Sequence, residues 1–384
     1  MKICAIICEF NPFHNGHKYL LEQARKLSGC DKILCIMSGS FTQRGEICIQ
    51  SRSVRARHAV LGGADAVLEL PVAFSVAPAE IFAKGAIKLL SSIPDVCTLA
   101  FGCENADKRE FLRAAELLQS ESPEFKSELE KGLKNGESHI VSYRNAFVKS
   151  GGNAYLTDKP NNVLGLEYTK AILRSKSNID ILPIKRIGAD FSDGTLRENY
   201  SSARAIRQNL NSELIKNNVP DFVLSDNFHD NQAEFADFMR LILTRTDAEE
   251  LCDIYGCGEG LENRLKSLEL LPFEEIISTA TSKRYPSSRI RRILCANFLK
   301  LKKSSCEKFL SAPLYLKPLA VKKDCADELL AALAKSAFPV LTTGSGKLLL
   351  EDTARECLEC DEFAYNQWLT VTKNCKRESG LISV

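Results

Sequence analysis

Five short and almost wholly apolar runs recur through the N-terminal half of the chain, and they constrain the fold more than any other feature. They occupy residues 2–8, 32–38, 66–70, 98–102 and 180–187. Strands without polar alternation are buried on both faces, which is typical of parallel sheets. Helical patterns lie between these runs, at residues 17–27, 79–90, 107–119, 162–173 and 202–210. We therefore predict an α/β fold built on a doubly wound, Rossmann-type parallel sheet, whose ligands bind beyond the carboxyl ends of the strands.

The pattern changes after about residue 210, where strand-like runs give way to Leu and Ile at helical spacing. Helical patterns cover residues 235–244, 262–270, 273–279, 288–301 and 327–336, and weaker strand patterns lie at 313–321 and 338–342. Polar residues cluster between Asn211 and Pro220, which indicates a boundary. We expect an α/β domain over residues 1–212 and a mainly helical C-terminal domain over residues 213–384.

The charge balance excludes a wholly basic nucleic-acid coat, because 51 Lys and Arg face 49 Asp and Glu and the net charge is only +2. Any nucleic-acid surface must therefore be a local patch. No run approaches the roughly 20 apolar residues of a membrane span. Polar residues interrupt the first apolar run before it reaches the length of a secretory signal. We expect no membrane segment and a cytoplasmic location.

The fifteen cysteines form an odd set, and most of them lie in apolar runs, where a thiol acts as a small hydrophobe. Cys357 and Cys360 have the Cys-x-x-Cys spacing, but no second pair at zinc-ligand spacing lies nearby. Buried or idle thiols are therefore favoured over a metal or redox pair, and we predict no metal held by the protein.

Residues 8–17, Cys-Glu-Phe-Asn-Pro-Phe-His-Asn-Gly-His, lie between the first strand and the first helix, where an α/β domain keeps its ligand site. His14 and His17 are three apart and share one face of the first helical turn. The free N–H groups and the dipole of that turn favour an anion. Two imidazoles there suit the stabilisation of charge on a phosphate during its transfer. The alternatives are two partly exposed histidines at a helix start, or a zinc site, for which only Glu9 is nearby.

This His-x-Gly-His pattern resembles the signature of the HIGH-type nucleotidylyltransferase superfamily. Further collinear blocks are similar to those of the bacterial tRNA(Met) cytidine acetate ligases, although Tyr is usual there in place of Phe10, and the resemblance thins beyond about Leu310. The blocks are residues 37–46 (MSGSFTQRGE), 68–71 (LELP), 101–104 (FGCE), 160–165 (PNNVLG), 184–188 (IKRIG), 260–264 (GLENR) and 283–285 (KRY).

The resemblance implies an ATP-dependent ligase that activates acetate as acetyl-adenylate and releases pyrophosphate. The acetyl group then passes to N4 of the wobble cytidine of elongator tRNA(Met), forming N4-acetylcytidine. His14 and His17 carry over as the catalytic pair. The residues that match the ATP contacts of the family are Ile7, Cys8, Glu9, Phe10, Asn11, Pro12, Phe13, His14, Asn15, Gly16, His17, Lys18, Tyr19, Leu20, Gly102, Asn161 and Arg186. For Asn161, a helix N-cap is an equally plain interpretation.

Three further sets of residues complete the expected machinery. Ser201, Ser202 and Arg207 resemble an element that grips the outer phosphates, although Arg204 stands where the ligases usually have Thr, and a capped surface helix is the alternative. Arg44, in a polar loop, is a candidate for the acetate or cytidine pocket. Magnesium is expected with the triphosphate, but no carboxylate cluster marks its site.

A local basic run follows in the second half, where five of the ten residues from 283 to 292 are Lys or Arg. Cations on one helix face with apolar residues opposite suit phosphate contacts, and Tyr285 is a candidate for stacking on a base. We predict tRNA contacts here; a solvated charged face is the alternative. The predicted tRNA-binding residues are Lys283, Arg284, Arg289 and Arg292, with a second candidate patch at Arg52, Arg55 and Arg57.

Two other functions compete with the ligase. One is an adenylyltransferase that acts on a small phosphorylated metabolite, but this function leaves the basic helix unused. The other is a non-catalytic RNA-binding adaptor, and the intact His14, Gly16 and His17 argue against it. The base that accepts the proton from cytidine N4 stays open between Glu9 and substrate placement alone. No obligate protein partner is evident from the sequence.

Overall fold

Seven strands form one sheet in the computed structural model, which describes residues 1–188, 194–378 and 380–384. The strands are β1 (Ile3–Cys8), β2 (Lys32–Ser38), β3 (Ala66–Leu70), β4 (Val96–Cys103), β5 (Asp180–Lys185), β6 (Pro318–Val321) and β7 (Ile382–Ser383). Their order across the sheet is β5-β4-β1-β2-β3-β6-β7. The first five run parallel, β6 is antiparallel to β3, and β7 is parallel to β6. The predicted α/β class and its parallel sheet are confirmed.

The continuous apolar character of the strands follows from helices that cover both faces of the sheet. Along β1, alternate side chains enter two different hydrophobic clusters: Ile3, Ala5 and Ile7 lie in one, and Cys4 and Ile6 in the other. Because both faces are covered, apolar side chains are favoured at every position along the strand.

The helices of the N-terminal half follow the predicted patterns closely, with several additions. They are α1 (Asn15–Ser28), α2 (Arg52–Leu61), α3 (Val72–Ser75), α4 (Ala79–Ser91), α5 (Lys108–Ser120), α6 (Pro123–Lys134), α7 (His139–Lys149), α8 (Tyr155–Asp158), α9 (Pro160–Ser175) and α10 (Ala203–Gln208).

The second half is mainly helical, as the sequence pattern predicts. Its helices are α11 (Ile215–Asn218), α12 (Asp221–Leu224), α13 (Gln232–Arg245), α14 (Ala248–Asp253), α15 (Leu261–Ser267), α16 (Phe273–Ala280), α17 (Ser287–Phe298), α18 (Lys303–Ser311), α19 (Ala326–Leu333) and α20 (Asp352–Val371), with 3-10 turns at Lys323–Cys325 and Gly344–Leu349. Within the described ranges, none of the helices is both long and apolar enough to cross a bilayer.

The C-terminal half also completes the sheet, since β6 and β7 extend it beyond β3. The strand pattern at 313–321 is confirmed in shortened form as β6, whereas that at 338–342 yields only a bridge between Leu316 and Val340. The longest addition is α20, in which Cys357 is fully buried and Cys360 half-buried, so the Cys-x-x-Cys pair belongs to a packed helix.

A buried arginine ties the ends of two strands to α2. The Arg55 side chain is fully buried and donates hydrogen bonds to backbone carbonyls at the ends of β1 and β2 and in the adjoining loop. The acceptors are the oxygens of Glu9 (2.6 Å), Ser38 (3.1 Å), Gly39 and Gln50 (3.2 Å). Because a guanidinium presents five donors in a fixed fork, one side chain sets the relative position of these segments.

The second candidate RNA patch is therefore wrong for two of its three members. Arg55 is enclosed, and Arg52 is buried with its Nη1 atom 2.8 Å from Glu69 Oε1. Arg57 is partly exposed but pairs with Asp226. The three arginines of α2 make structural contacts within the protein, and their positive charge alone did not distinguish this role from RNA binding.

Replacing Arg55 tests this role. We expect Arg55→Met to lower the free energy of unfolding by about 3 kcal/mol or more, because buried carbonyls lose their donor. Urea denaturation measures the change. The control is Arg174→Met, which removes an exposed pair with Glu80 and should cost less than about 1 kcal/mol. Equal losses in the two variants would contradict the role given to Arg55.

Candidate active site

A cleft opens at the carboxyl ends of β1, β4 and β5, where the sheet order reverses on the two sides of β1. Its main part has a volume of about 1100 Å³ and is walled by the end of β1, the loop at residues 43–46, α9 and α10. A smaller part of about 430 Å³ continues past the start of α1. His17, Leu20, Gly102 and Arg186 line both parts, which therefore form one site, called the cleft below. This is the position at which doubly wound sheets bind ligands.

His14 and His17 cap the start of α1 reciprocally. The Nδ1 atom of His14, the N-cap residue, accepts the backbone N–H of Gly16 at 3.0 Å, and Nδ1 of His17 accepts the backbone N–H of His14 at 3.3 Å. The two rings stack, with centroids 3.6 Å apart and planes 26° apart. The predicted pairing of the imidazoles on one face is confirmed.

These hydrogen bonds decide the form of both imidazoles. Since each Nδ1 accepts a backbone proton, the ring proton of the neutral form lies on Nε2. Burial lowers the pKa of His14 to about 3, and the nearby charges of Arg186 and Arg207 lower it further. Burial, and then His14 and Arg186, lower the pKa of His17 well below its usual value. At neutral pH the cleft therefore presents two uncharged Nε2–H donors.

The expectation of free N–H groups at this helix start needs correction. The Gly16 N–H is bonded to the His14 ring, and the N–H of His17 to the carbonyl of His14. Backbone N–H groups of this turn are therefore already hydrogen-bonded, and the donors that remain for a ligand include the Nε2–H groups of the two imidazoles. An anion at this turn would meet the Nε2 protons and the helix dipole.

The turn that leads into α1 is held under these rings. Phe10 adopts φ +48°, a left-handed conformation that is costly for a bulky residue. Its fully buried ring lies 4.7 Å from the His17 ring and 5.1 Å from Phe13. Because these ring contacts fix Phe10, they maintain its strained backbone conformation in the turn beside the cleft.

The predicted ATP stretch divides into residues on the cleft and residues that build the turn. Those on the cleft are Ile7, Cys8, Glu9, Phe10, Asn11, His14, Gly16, His17, Tyr19 and Leu20. Pro12, Phe13, Asn15 and Lys18 line neither part: Phe13 is in the core, Asn15 donates to the carbonyl of Asn217 at 2.8 Å, and Lys18 is exposed.

The structure brings the three distant residues of the predicted ATP site to the same cleft. Gly102, Arg186 and Asn161 line its main part. A Cβ at Gly102 would lie 3.3 Å from Cγ of Arg186, so the absence of a side chain at this position leaves room along this wall of the cleft. Nδ2 of Asn161 donates to Oε1 of Glu104 at 2.6 Å. The N-cap of α9 is Lys159, so the cap interpretation of Asn161 is wrong.

The expected phosphate element reaches the cleft in part. Arg207 lines it, donating to the carbonyl of Asn11 and to Glu46 Oε2, both at 2.7 Å. Ser201 lines the smaller part, and its Oγ accepts the N–H of Arg197 at 2.8 Å. Ser202 caps α10 by accepting the N–H of Ala205 at 3.0 Å, which is the alternative interpretation for this residue.

Arg44 lies on the wall of the main part together with Glu9 and Glu46. Burial lowers the pKa of Arg44, and Glu46 and Glu9 oppose that shift. Among the described residues no three His, Cys, Asp or Glu side chains converge to hold a metal ion. The residues therefore do not form a protein cage for Mg²⁺, which usually binds through phosphates and one or two carboxylates.

A second cavity, about 1710 Å³ in volume, collects all four predicted tRNA contacts along one wall. Lys283 and Arg284 are exposed there, and Arg289 and Arg292 are half-buried. On the opposite side of α17, Ile290, Ile293 and Leu294 are buried, as predicted. We call this cavity the basic groove.

The charges of the basic groove are not equally available. Arg284 and Arg289 both lie near Glu259, at 3.5 and 3.3 Å, whereas Arg292 has no ion-pair partner among the described residues. Burial, with the charges of Arg289 and Arg44, lowers the pKa of Arg292 to about 10. Tyr285 is buried and donates to the carbonyl of Glu259 at 2.6 Å, so the expectation that its ring stacks on a base is wrong.

Between the cleft residues Arg44 and Glu46, Gly45 contacts α17, the helix that carries Arg289 and Arg292 of the basic groove. This glycine has φ +73°, and a Cβ there would lie 2.8 Å from the carbonyl oxygen of Arg291 and 3.0 Å from the nitrogen of Arg292. The loop that carries Arg44 therefore rests directly on the backbone of α17. A chain of cations, Arg289, Arg292 and Arg44, leads from the groove to the cleft.

Comparisons with known proteins show similarity over nearly the whole chain. Residues 1–380 match the family model described as HIGH Nucleotidyl Transferase. The tRNA(Met) cytidine acetate ligase of Caldanaerobacter subterraneus subsp. tengcongensis is 34% identical over 389 residues, covering 97% of this chain and 96% of the relative. That of Clostridium kluyveri is 32% identical, covering 100% and 98%. The similarity thus continues past residue 310, where the motifs in the sequence thin.

Solved structures show the same likeness over the full length. Thermotoga maritima TmcAL, in an apo form, has a TM-score of 0.91 and 28% identity, with 100% of both chains covered. A second crystal structure of that protein, bound with alpha-thio ATP, has a TM-score of 0.89 and 27% identity, again with 100% of both chains covered.

The lowered pKa of His14 predicts a pH dependence of stability. Between about pH 3, its folded pKa, and 6.5, its usual value, the unfolded chain binds a proton that the folded chain does not. Stability therefore falls as the pH drops below 6.5, by up to about 1.4 kcal/mol per pH unit for each such imidazole. His14→Asn, which keeps an N-cap side chain, should show a shallower fall in urea denaturation at several pH values. Parallel curves for variant and wild type would contradict the assignment.

Proposed function

Because this chain belongs to the HIGH nucleotidyl transferase family and, within it, to the tRNA(Met) cytidine acetate ligases, we propose that its cleft activates acetate with ATP and delivers the acetyl group to tRNA. The product is N4-acetylcytidine at the wobble position of elongator tRNA(Met). The observation that carries the mechanism is the stacked, uncharged pair His14 and His17 at the start of α1.

In the first step an acetate oxygen attacks the α-phosphorus of ATP in line, and pyrophosphate leaves. The Nε2–H groups of His14 and His17 donate to the phosphate oxygens on which negative charge develops. Such prearranged donors, inside a site that excludes water, stabilise a transition state strongly. Arg207 and Arg186 supply positive charge close to the pair, as their effect on the pKa of His14 indicates.

The adenosine lies between Gly102 and Arg186 at the strand ends and Asn161 at the start of α9. The low wall at Gly102 admits a flat base or ribose, Asn161 offers donor and acceptor atoms, and Arg186 provides a cationic plane. Ser201 and Arg207 face the outer phosphates, and Arg44 the acetate or cytidine pocket. Magnesium accompanies the triphosphate and would be held through its phosphates, since among the described residues no three ligating side chains converge.

The two halves of the chain divide the work. Residues 1–212 form the activating domain, and residues 213–384 contact the tRNA through Lys283, Arg284, Arg289 and Arg292. The contact between Gly45 and α17 supports this proposal, because it puts the basic groove next to the cleft. RNA bound in the groove would then lie beside the activated acetyl group. The chain acts in the cytoplasm without an obligate protein partner, and its fifteen free cysteines suit that compartment.

The two competing functions account for less of the molecule. An adenylyltransferase for a small metabolite leaves the basic groove without a role. A non-catalytic adaptor leaves unexplained a histidine pair that is stacked and held in one tautomer at the cleft.

Changes at the histidine pair test the activation step. We expect His14→Asn and His17→Gln to reduce acetate-dependent ATP–pyrophosphate exchange by about 100-fold or more, because each removes a donor to the reacting phosphate. Lys26→Gln, on the exposed face of the same helix, should leave the exchange unchanged. Exchange that persists at the wild-type rate in both histidine variants would rule out this role.

Neighbouring arginines on α17 test the tRNA surface. Arg292 lies on the basic groove, whereas Arg291 pairs with Glu274 outside it. We expect Arg292→Ala to weaken tRNA binding and to reduce the slope of log affinity against log salt by about 1. Exchange without tRNA should not change. Arg291→Ala is the matched control, and equal weakening in the two variants would show that the groove is not the contact.

A further inference from the structure

The cleft holds a carboxylate whose chemistry the activation step does not use. Glu9 directly follows β1 and lines the main part of the cleft. Its Oε1 atom accepts the backbone N–H of Gln43 at 2.6 Å, while its second oxygen has no hydrogen-bond partner among the described residues. One oxygen thus fixes the side chain, and the other is open to a ligand.

The other groups on the cleft are poor proton acceptors. His14 and His17 already carry a proton on Nε2, and each Nδ1 is occupied by a backbone donor. Glu46 is paired with Arg207 at 2.7 Å. Burial raises the pKa of Tyr168, so its phenolate is not accessible at neutral pH. Among the described side chains on the cleft, Glu9 is the carboxylate without an ion pair.

The second half of the reaction needs such an acceptor. The amino group of cytidine is weakly nucleophilic, because its lone pair is delocalised into the ring. Its attack on a carbonyl gives an adduct from which a proton must leave before a neutral amide forms. A general base in position accelerates such a step by about 10²–10⁴-fold.

We propose that Glu9 is a further catalytic residue, whose open carboxylate oxygen takes the proton from cytidine N4 during acetyl transfer; this rests on the proposed function. N4 forms a bond to the acetyl carbonyl carbon, and the bond from that carbon to the adenylate phosphate oxygen breaks. AMP leaves with that electron pair. One N4 proton passes to Glu9 and then to solvent, which restores the carboxylate.

The surroundings of Glu9 suit a base. Burial raises its pKa, the Gln43 N–H opposes that shift, Glu46 adds to it, and Arg207 and Arg55 oppose it. A raised pKa makes the carboxylate a stronger proton acceptor than an exposed one. The titratable and charged groups that face Glu9 from the packed elements are Cys8, Arg44, Glu46, Cys48, Arg55, Tyr168 and Arg207.

Glu9→Gln separates this role from nucleotide binding, since its amide oxygen can still accept the Gln43 N–H. With the full-length variant, we expect acetate-dependent ATP–pyrophosphate exchange to lose at least about tenfold less of its rate than acetyl transfer does. In a single turnover with preformed acetyl-adenylate, transfer to tRNA(Met) should fall by about 100-fold or more. Wild-type transfer should rise with pH through the pKa of Glu9, and the variant should lose that rise.

Each outcome decides the proposal. Equal losses of exchange and transfer in Glu9→Gln would assign the residue to nucleotide binding alone and overturn the proposal, as would unchanged transfer. If the variant does not fold, single-turnover transfer by wild type between about pH 5 and 8 takes its place, and a flat profile overturns the role. Wild-type protein that forms acetyl-adenylate but never acetylates tRNA(Met) would instead refute the proposed function itself.

Discussion

The reciprocal hydrogen bonds between two imidazoles and the backbone that carries them are the constraint on which the site depends. They close the first turn of α1, fix the ring proton of His14 and His17 on Nε2, and hold the rings stacked. Because the pair stays uncharged, it needs no counter-ion. In the proposed function, these donors require no reorganisation when a phosphate binds.

Contacts from distant parts of the chain hold the segments around this turn. Arg55 joins the ends of β1 and β2 beneath the turn. From the far end of the chain, the Trp368 indole on α20 donates to the carbonyl of Cys48 at 2.7 Å, and Asp361 accepts the N–H of Val72 at 2.7 Å. The loop that carries Cys48 and the start of α3 are thus held by the C-terminal half, which also carries the basic residues Lys283, Arg284, Arg289 and Arg292 of the groove.

The sequence predicted the sheet and the histidine pair well, because each is signalled by local chemistry: unbroken apolar runs for the strands, and two imidazoles around Gly16. It missed α20, whose buried face has helical spacing but includes Asp361 between Leu358 and Tyr365, which weakens the hydrophobic pattern. It also misjudged Arg55 and Tyr285, since their partners are backbone carbonyls distant in sequence. Tertiary hydrogen bonds of this kind leave no trace in spacing or composition.

Nitrogen-15 NMR of the histidine rings in the full-length protein tests the central claim most directly. With only five histidines in the chain, His14 and His17 can be assigned from the spectra of single variants. The account predicts that both rings are neutral at pH 7 with the proton on Nε2, and that neither protonates as the pH is lowered to about 5. Protonation of both rings near pH 6.5, or a proton on Nδ1, would contradict it.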